Sequence, residues 1–199
     1  MTLPAPSGPH ASTAPSAWLE RWAHLIAPAS PVLDVACGHG RHLRWAAALG
    51  HQPLGIDRDP LALATARRFA PVVEADIENG PWPLVGQTFG AVLVTNYLWR
   101  PLLPQLLASL APDGVLLYET FAVGNETVGR PACADFLLRP LELVEACATL
   151  RVVAYEHGFL SSPERFVQRI AAVRSDAAAV PPRHRLWLES SPSPDLSTA

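Results

Sequence analysis

The sequence predicts an α/β fold, in which a doubly wound, mostly parallel sheet of seven strands carries helices on both faces. Short apolar segments alternate with helical segments over most of the chain, and this alternation is typical of parallel sheets. The crossovers between parallel strands should therefore be right-handed. The last two apolar segments follow each other without a helix between them, which predicts a terminal hairpin with an antiparallel strand.

Length and composition indicate a single globular domain. The chain has 199 residues, 49% of them hydrophobic, and a mean hydropathy of +0.16. Such a chain can bury a substantial core. We expect a flexible tail rich in Pro, Ala and Ser at 1–15, one domain at 16–175, and a partly packed C-terminal tail at 176–199.

Charge and cysteine usage narrow the classes of partner. The net charge of -3 and the pI near 6.1 argue against binding of nucleic acid by bulk attraction. All 15 basic residues are arginines, which excludes a lysine Schiff base and a lysine-dependent phosphate loop. Three scattered cysteines suit reduced thiols in a cytoplasm. We see no signal pattern or membrane span, and expect a monomer or a homodimer.

The seven strands are predicted from apolar runs that breaker residues bound, at 32–36, 53–56, 72–75, 89–95, 115–121, 151–156 and 165–174. Five helices are predicted, at 16–26, 41–49, 59–70, 102–110 and 139–150. Ser16 and Asp59 suit N-cap positions, Pro60 suits a first helical position, and Gly50 suits a C-terminal cap. The loop at 122–136 is long and polar, which makes it a candidate lid.

Residues 31–40, PVLDVACGHG, form the segment around which the rest of the chain is organised. An apolar strand runs into a turn at Gly38 and Gly40, where the absence of side chains lets a ligand approach the backbone. The helix that follows points free N–H groups and a partial positive charge at that turn. This arrangement predicts a nucleotide pocket at the carboxyl end of a parallel sheet.

The same segment distinguishes between possible nucleotide cofactors. A dinucleotide fingerprint needs a third glycine, and Leu43 occupies that position here. Asp34, just before the turn, would repel a pyrophosphate but attract a cation. S-adenosylmethionine carries a sulfonium and an ammonium group, so charge complementarity favours this methyl donor over NAD.

VLDVACGHG resembles the first motif of the class I S-adenosylmethionine-dependent methyltransferases, which share a Rossmann-like fold. Ala36 stands where many members have glycine. The resemblance implies that the turn, with Ala36, Cys37, Gly38 and Gly40, lies against the methionine part of the cofactor. It also implies that Asp34 orients the turn and the ammonium group.

The resemblance further assigns the acids that follow the second and third strands. Asp57, beside Arg58, would accept hydrogen bonds from both ribose hydroxyls, which suits a carboxylate. Asp76 would accept the adenine amino group, with Ile77 beside the ring. Asn96 follows the fourth strand and would face the methyl group with its neighbour Tyr97. Any one of these acids could alternatively be a turn or helix cap.

A narrower resemblance covers the runs at 96–102, 118–121, 124–126 and 129–131. These runs are similar to those of small bacterial methyltransferases classed with the tellurite-resistance enzymes. That similarity implies a small-molecule or metalloid acceptor.

Candidate catalytic residues follow from the chemistry of the acceptor. Methyl transfer from a sulfonium is an in-line displacement, so the protein mainly supplies proximity and alignment. A thiol or soft anion needs no strong base, whereas a protonated nitrogen or a hydroxyl does. We therefore single out Tyr97 as a candidate catalytic residue. Glu119 could act as a base, or could pair with Arg130 or another arginine. Arg130 and Arg100 could hold an anionic acceptor. Asn125 and Glu126 could line the acceptor site or order the loop.

Other interpretations remain open at this point. His39 and His42 are expected at the surface or pocket rim, since no third metal ligand can be placed. Cys37 suits packing better than nucleophilic attack. The protein could instead bind the cofactor without catalysis, or could methylate protein or RNA.

Overall fold

The fold is described by a computed structural model of residues 13–175 and 183–186. Its seven strands are β1 Pro31–Val35, β2 Gln52–Asp57, β3 Val72–Glu74, β4 Phe89–Thr95, β5 Leu110–Phe121, β6 Arg151–Ser161 and β7 Glu164–Val173. Its α-helices are α1 Ala17–Trp22, α2 Arg41–Ala48, α3 Pro60–Ala66, α4 Leu103–Ala108 and α5 Glu142–Ala146. Single 3₁₀ turns lie at Ala23–Leu25, Arg100–Leu102, Asn125–Thr127 and Ala134–Phe136.

The strands form one sheet in the order β3-β2-β1-β4-β5-β7-β6. The pairs from β3 to β5 are parallel, whereas β7 is antiparallel to both β5 and β6. The predicted mostly parallel, seven-stranded Rossmann-like sheet with a terminal hairpin is therefore confirmed.

Hydrophobic side chains cover both faces of the sheet. On one face, α1 buries Trp18 and Trp22 against Leu93 and Leu117 of the central strands. On the other face, α4 and α5 pack Leu106 and other apolar side chains on the sheet. Burial on both faces explains why the central strands are almost continuously apolar. Among the described residues, no helix is both long and apolar enough to cross a bilayer.

Several boundaries differ from the sequence-based prediction. The helix predicted at 59–70 ends at Ala66, where the chain tightens into i to i+3 bonds ahead of Pro71. The helix predicted at 139–150 is confined to Glu142–Ala146 because Leu141 adopts a left-handed φ of 64°. β5 begins five residues early, since the turn around Asp113 forms an irregularity inside the strand.

The predicted tails fall largely outside the described residues, as do Trp187 and Leu188. Within the described part, the Arg185 carbonyl oxygen lies 2.8 Å from Nε2 of His24, next to α1. The division into a tail at 1–15, a domain at 16–175 and a tail at 176–199 stays a prediction.

The glycine-rich turn after β1 packs against a residue without a side chain in β2, Gly55. A Cβ on Gly55 would lie 2.7 Å from Sγ of Cys37 and 2.8 Å from Cδ1 of Leu43. These distances are shorter than van der Waals contact allows. Gly55 therefore lets the turn and the start of α2 pack closely on the sheet.

Gly55→Ala should lower the free energy of unfolding by about 1–3 kcal/mol, because the added methyl overpacks a closed contact. Urea denaturation would measure the loss. Gly158→Ala is the matched control, since a Cβ at Gly158 in β6 meets no atom within 4 Å. Equal stabilities of the two variants would contradict the packing argument.

Candidate active site

The turn between β1 and α2 bends through three left-handed residues, Ala36 at φ 53°, Gly38 at φ 53° and Gly40 at φ 80°. The Cys37 N–H donates to the Ile56 carbonyl at 2.9 Å, which ties the bend to β2. Ala36 adopts a conformation that suits glycine better, so the departure noted in the motif carries some backbone strain.

Asp57 connects the end of β2 to this bend. One carboxylate oxygen, Oδ2, accepts the Gly38 N–H at 2.8 Å, and the other, Oδ1, accepts the Asp59 N–H at 2.9 Å. A carboxylate has about four acceptor positions, so Asp57 retains capacity for the two hydroxyls that the sequence assigned to it. Asp59 in turn caps α3 by accepting from the Leu61 N–H, as predicted.

Three adjoining cavities surround the bend. The turn cavity, about 560 Å³, is lined by Thr13, Ala36, Cys37, Gly38, His39, Arg41, His42, Arg44, Thr65, Phe69, Thr95 and Asn96. The acid cavity, about 150 Å³, is lined by Ala36, Asp57, Arg58, Ala75, Asp76, Ile77, Glu78 and Tyr97. The aromatic cavity, about 290 Å³, is lined by Glu78, Asn96, Tyr97, Leu98, Thr120, Phe121, Pro131 and Phe136.

The shared walls show that these cavities adjoin. Ala36 lines both the turn cavity and the acid cavity, and Asn96 lines both the turn cavity and the aromatic cavity. Tyr97 and Glu78 lie between the acid cavity and the aromatic cavity. Eight of the ten predicted cofactor residues thus border one cleft at the carboxyl ends of β1, β2, β3 and β4, whereas Asp34 and Gly40 do not line these cavities.

Asp34 is a buried carboxylate with one unsatisfied oxygen. Its Oδ2 has no hydrogen-bond partner among the described residues, and its Oδ1 lies 3.6 Å from Nδ1 of His42. His42 Nε2 accepts the Ser16 N–H at 3.3 Å, which assigns the ring proton to Nδ1, on the side of Asp34. His42 is therefore buried between Asp34 and Ser16, and the prediction of a surface or rim position is wrong for it; His39 is exposed as predicted.

Glu119 lies at the end of β5, buried and surrounded by donors. Nη2 of Arg165 and Nη1 of Arg169 each lie 3.4 Å from its carboxylate, and the Ser16 hydroxyl donates to it at 3.1 Å. Glu119 does not line any of the three cavities. The geometry favours the alternative that Glu119 pairs with arginines, although these are Arg165 and Arg169, not Arg130.

Ser16 joins the N-terminal segment to this polar cluster. Its hydroxyl accepts the Trp18 N–H at 3.1 Å, which caps α1 as predicted, while it donates to Glu119. Just before it, the Thr13 carbonyl accepts from Arg44 at 2.6 Å, and the Ala14 carbonyl accepts from Arg41 at 3.4 Å. The segment at 13–16 thus covers one side of the turn cavity.

Asp76 serves as a turn cap in addition to lining the acid cavity. Its side chain accepts from the amide of Asn79 at 2.9 Å and from the backbone N–H groups of Glu78 and Asn79. The Asn79 amide, followed by the Glu78 N–H, lowers the pKa of Asp76. Less of its acceptor capacity is free than at Asp57. Arg58 lies near Glu78, with 3.6 Å between Nη1 and Oε2.

The two arginines proposed to hold an anionic acceptor lie elsewhere. Arg100 donates to Glu142 at 2.6 Å and to the carbonyls of Asp135 and Leu137 at 2.6 and 2.8 Å, so its guanidinium fixes the loop onto α5. Arg130 is exposed and lines none of the three cavities. Neither arginine lines the three cavities, and their role as acceptor contacts stays a prediction.

The loop at 122–136 is ordered by two of its polar residues. The Asn125 amide donates to the Pro131 carbonyl at 3.0 Å and accepts the Phe166 N–H at 3.2 Å. Glu126 accepts the Gly124 N–H at 2.8 Å. These contacts favour the alternative that Asn125 and Glu126 order the loop, and the loop in turn places Pro131 and Phe136 in the wall of the aromatic cavity.

Four contributors to the site were missed in the sequence. Arg165 and Arg169 are four residues apart in β7 and so face the same side, which is a readable signal. Glu78 lies two residues after Asp76 in EADIEN, and a second carboxylate so close to a predicted site residue is a signal in the sequence. No signal in the sequence predicts that Phe136 reaches the cleft, because a loop places it there.

Sequence and structure comparisons agree with this geometry. Residues 32–114 match the family model described as a methyltransferase domain. No curated protein matches the sequence. TehB from Haemophilus influenzae has a TM-score of 0.64 at 18% identity, covering 76% of this chain and 59% of its own. Residues 32–114 thus resemble a methyltransferase domain, and the chain shares the fold of this solved structure.

Two further solved structures extend the comparison. A TehB-like methyltransferase from Corynebacterium glutamicum has a TM-score of 0.56 at 20% identity, covering 76% of this chain and 86% of its own. The glycopeptide N-methyltransferase MtfA, complexed with S-adenosylhomocysteine, has a TM-score of 0.56 at 18% identity, with the same coverage. The predicted resemblance to the tellurite-resistance type is confirmed at the level of the fold. The chain spans less than two thirds of the length of TehB from H. influenzae.

The residues of the cleft fit an S-adenosylmethionine molecule. The orphaned Asp34 Oδ2 is a buried acceptor that an ammonium group, directly or through water, would satisfy. A Cβ on Gly38 would meet nothing within 4 Å, so the backbone is open to a ligand on that side. Among the described residues, no three His, Cys, Asp or Glu side chains are grouped as a metal site.

Cysteine reactivity checks the packing of the bend. Burial, reinforced by the Asp34 charge, raises the pKa of Cys37, and burial raises the pKa of Cys147 to about 12. Cys133 is exposed. A thiol-reactive disulfide reagent should therefore modify Cys133 rapidly in the folded protein, and should modify all three cysteines after denaturation. The Cys133→Ser variant should show no rapid phase, and rapid modification of Cys37 would contradict a packing role.

Ser16→Ala should lower the free energy of unfolding by about 1–2 kcal/mol, because it removes the α1 cap and one donor to buried Glu119. Thermal and urea denaturation would measure this loss. Thr149→Ala is the control, since Thr149 is exposed and its side chain makes no hydrogen bond to any described residue. If both variants were equally stable, the hydroxyl would not join α1 to the site.

Proposed function

We propose that this protein transfers a methyl group from S-adenosylmethionine to a small-molecule acceptor by in-line displacement. The observation that carries the proposal is the meeting of the three cavities at Ala36, Asn96 and Tyr97. A donor in the turn and acid cavities would therefore adjoin an acceptor in the aromatic cavity. Proximity and alignment are the main requirements of a displacement at an already activated sulfonium.

The cofactor-binding roles are divided along the cleft. Ala36, Cys37, Gly38 and Gly40 would lie against the methionine part, with Asp34 facing its ammonium group. Asp57 would accept the ribose hydroxyls while still holding the Gly38 N–H. S-adenosylmethionine, when bound, supplies a methyl group on a positively charged sulfur. Asp34 and Asp57 then contribute negative charge close to a cationic ligand.

The adenine end would lie in the acid cavity. Asp76 and Ile77 line that cavity, and Arg58 stands at its edge beside Glu78. Since Asp76 already caps its own turn, we assign it a smaller share of the binding free energy than Asp57. Asn96 would then sit between the donor and the acceptor.

Among the candidate catalytic residues, geometry supports Tyr97. Tyr97 lines both the acid cavity and the aromatic cavity, and its backbone carbonyl accepts from the buried Tyr118 hydroxyl at 2.8 Å, which fixes its position. Burial, followed by the neighbouring Glu78 charge, raises the pKa of Tyr97, so the phenol is neutral at physiological pH. We assign Tyr97 to orienting the acceptor, and Glu119 to positioning Ser16 and β7.

The size of the aromatic cavity supports a small acceptor. A volume of about 290 Å³ admits a small organic molecule or a metalloid oxyanion. The comparison structures include a glycopeptide N-methyltransferase, so the fold serves acceptors of differing size and the acceptor must be argued from this chain's own residues.

Asp57→Ala should weaken binding of S-adenosylhomocysteine by about 10- to 100-fold, since it removes a charged acceptor and frees the Gly38 N–H. Gly38→Val should abolish binding, because the valine side chain would enter the open space beside the bend. Titration calorimetry measures both effects, with Glu145→Gln as the exposed control. Unchanged affinity in both variants would overturn the proposed cofactor site, whereas wild-type binding without turnover on any acceptor would favour a non-catalytic binding protein.

A further inference from the structure

The charge around the aromatic cavity is negative. Glu78 is the charged side chain in its wall, and the remaining lining is mostly apolar or aromatic, with Tyr97, Phe121 and Phe136. The two arginines expected to hold an anion do not line it: Arg100 is bound to Glu142, and Arg130 is exposed. An oxyanion in this cavity would therefore face a carboxylate.

Two cations on the other side of Asn96 are already paired with carboxylates. Arg165 and Arg169 both lie against Glu119, and Arg169 also lies 3.5 Å from Glu156. Nη1 of Arg165 donates to Oδ1 of Asn96 at 3.4 Å, so the Arg165 guanidinium is held at the Asn96 side chain and does not line the aromatic cavity. These guanidiniums therefore do not offset Glu78.

Glu78 itself retains acceptor capacity. Its ion-pair partner among the described residues is Arg58, at 3.6 Å, and 64% of the Arg58 side chain is exposed. Solvent screens such a pair strongly. The Tyr97 hydroxyl is buried next to the Glu78 carboxylate, whose charge and hydrogen bond contribute to the raised pKa of Tyr97. The cavity thus offers a carboxylate and aromatic faces, a combination that suits a cation.

We propose that the acceptor is a small amine, which binds in the aromatic cavity as an ammonium ion paired with Glu78. This inference rests on the proposed methyltransferase function and names its acceptor class. Tyr97, Phe121 and Phe136 form the apolar walls around the cationic group. Asn96 lies where the nitrogen meets the methyl group.

The reaction balances with Glu78 as the proton acceptor. The bound ammonium gives one N–H proton to the Glu78 carboxylate, which leaves a lone pair on nitrogen. That lone pair forms the N–C bond while the S–C bond breaks, and the bonding electrons stay on sulfur. The products are S-adenosylhomocysteine and a methylated ammonium ion. No oxidant or reductant is required.

A set of matched aromatic acceptors tests the inference. Benzylamine, benzyl alcohol, benzyl mercaptan and benzoate share one apolar body and differ in the reacting group, and sodium selenite represents the metalloid oxyanions. Each is incubated with the protein and S-adenosylmethionine, and the methylated product is identified by mass spectrometry. Binding to the protein loaded with S-adenosylhomocysteine is measured separately by calorimetry. We expect binding and methylation of benzylamine, and neither for benzoate or selenite.

Glu78→Gln separates the role of the carboxylate from that of the cavity. Measured on protein saturated with S-adenosylhomocysteine, it should weaken benzylamine binding by about tenfold or more, since the charged partner is lost. Glu74→Gln is the matched control, because Glu74 lies on neighbouring β3 and pairs with Arg67 away from the cavity. Tyr97→Phe keeps the aromatic wall and should lose less than Glu78→Gln.

The outcomes distinguish this inference from the proposed function. Methylation of the thiol or selenite but not the amine would overturn the amine inference and leave the methyltransferase function standing. Full benzylamine binding by Glu78→Gln would overturn the role of Glu78. Binding of S-adenosylhomocysteine with no methylation of any acceptor would overturn the inference, and absence of that binding would overturn the proposed function itself.

Discussion

The structure depends on a sharp, glycine-rich bend in the backbone that follows β1. Three left-handed residues turn the chain, and two fixed contacts keep the bend in place: the Asp57 carboxylate on the Gly38 N–H, and the Ile56 carbonyl on the Cys37 N–H. Both contacts come from the end of β2. The position of the bend is therefore set by the pairing of β1 with β2, and not by the loop alone.

This dependence explains why small residues are needed beneath the bend as well as in it. A Cβ on Gly55 would collide with Cys37, and a Cβ on Gly40 would lie 2.9 Å from the backbone of Ala66 in α3. The bend is thus packed between β2 and α3. The floor of the cleft is closely packed, and the segments that cover it, at 13–16 and 122–136, come from parts of the chain outside the parallel core.

Features that local chemistry specifies could be predicted from the sequence, whereas features that long-range packing decides could not. The alternating elements, the terminal hairpin and the acids at strand ends are readable, because apolar runs and glycine turns specify them locally. Glu119 was ambiguous because a buried carboxylate needs cations, and its partners Arg165 and Arg169 lie more than 40 residues away. Arg100 was misplaced for the same reason, since Glu142 and two loop carbonyls determine where its guanidinium lies.

The strand order reverses between β1 and β4, and open α/β sheets bind ligands at that point. Ala36 follows β1 and Asn96 follows β4, so the two residues at which the cavities meet flank the reversal. On the side of the bend, Asp34 is buried with one oxygen, Oδ2, that has no hydrogen-bond partner among the described residues, and a buried acceptor left unsatisfied costs about 1–3 kcal/mol. A cationic donor would offset that cost. On the other side of Asn96, Glu78 presents a second carboxylate to the aromatic cavity. The sulfonium donor and the ammonium acceptor would repel each other if both were bound at full charge. This repulsion favours loss of the acceptor's proton to Glu78 before the transfer. It is also relieved when the methyl group leaves sulfur, because the donor then loses its charge.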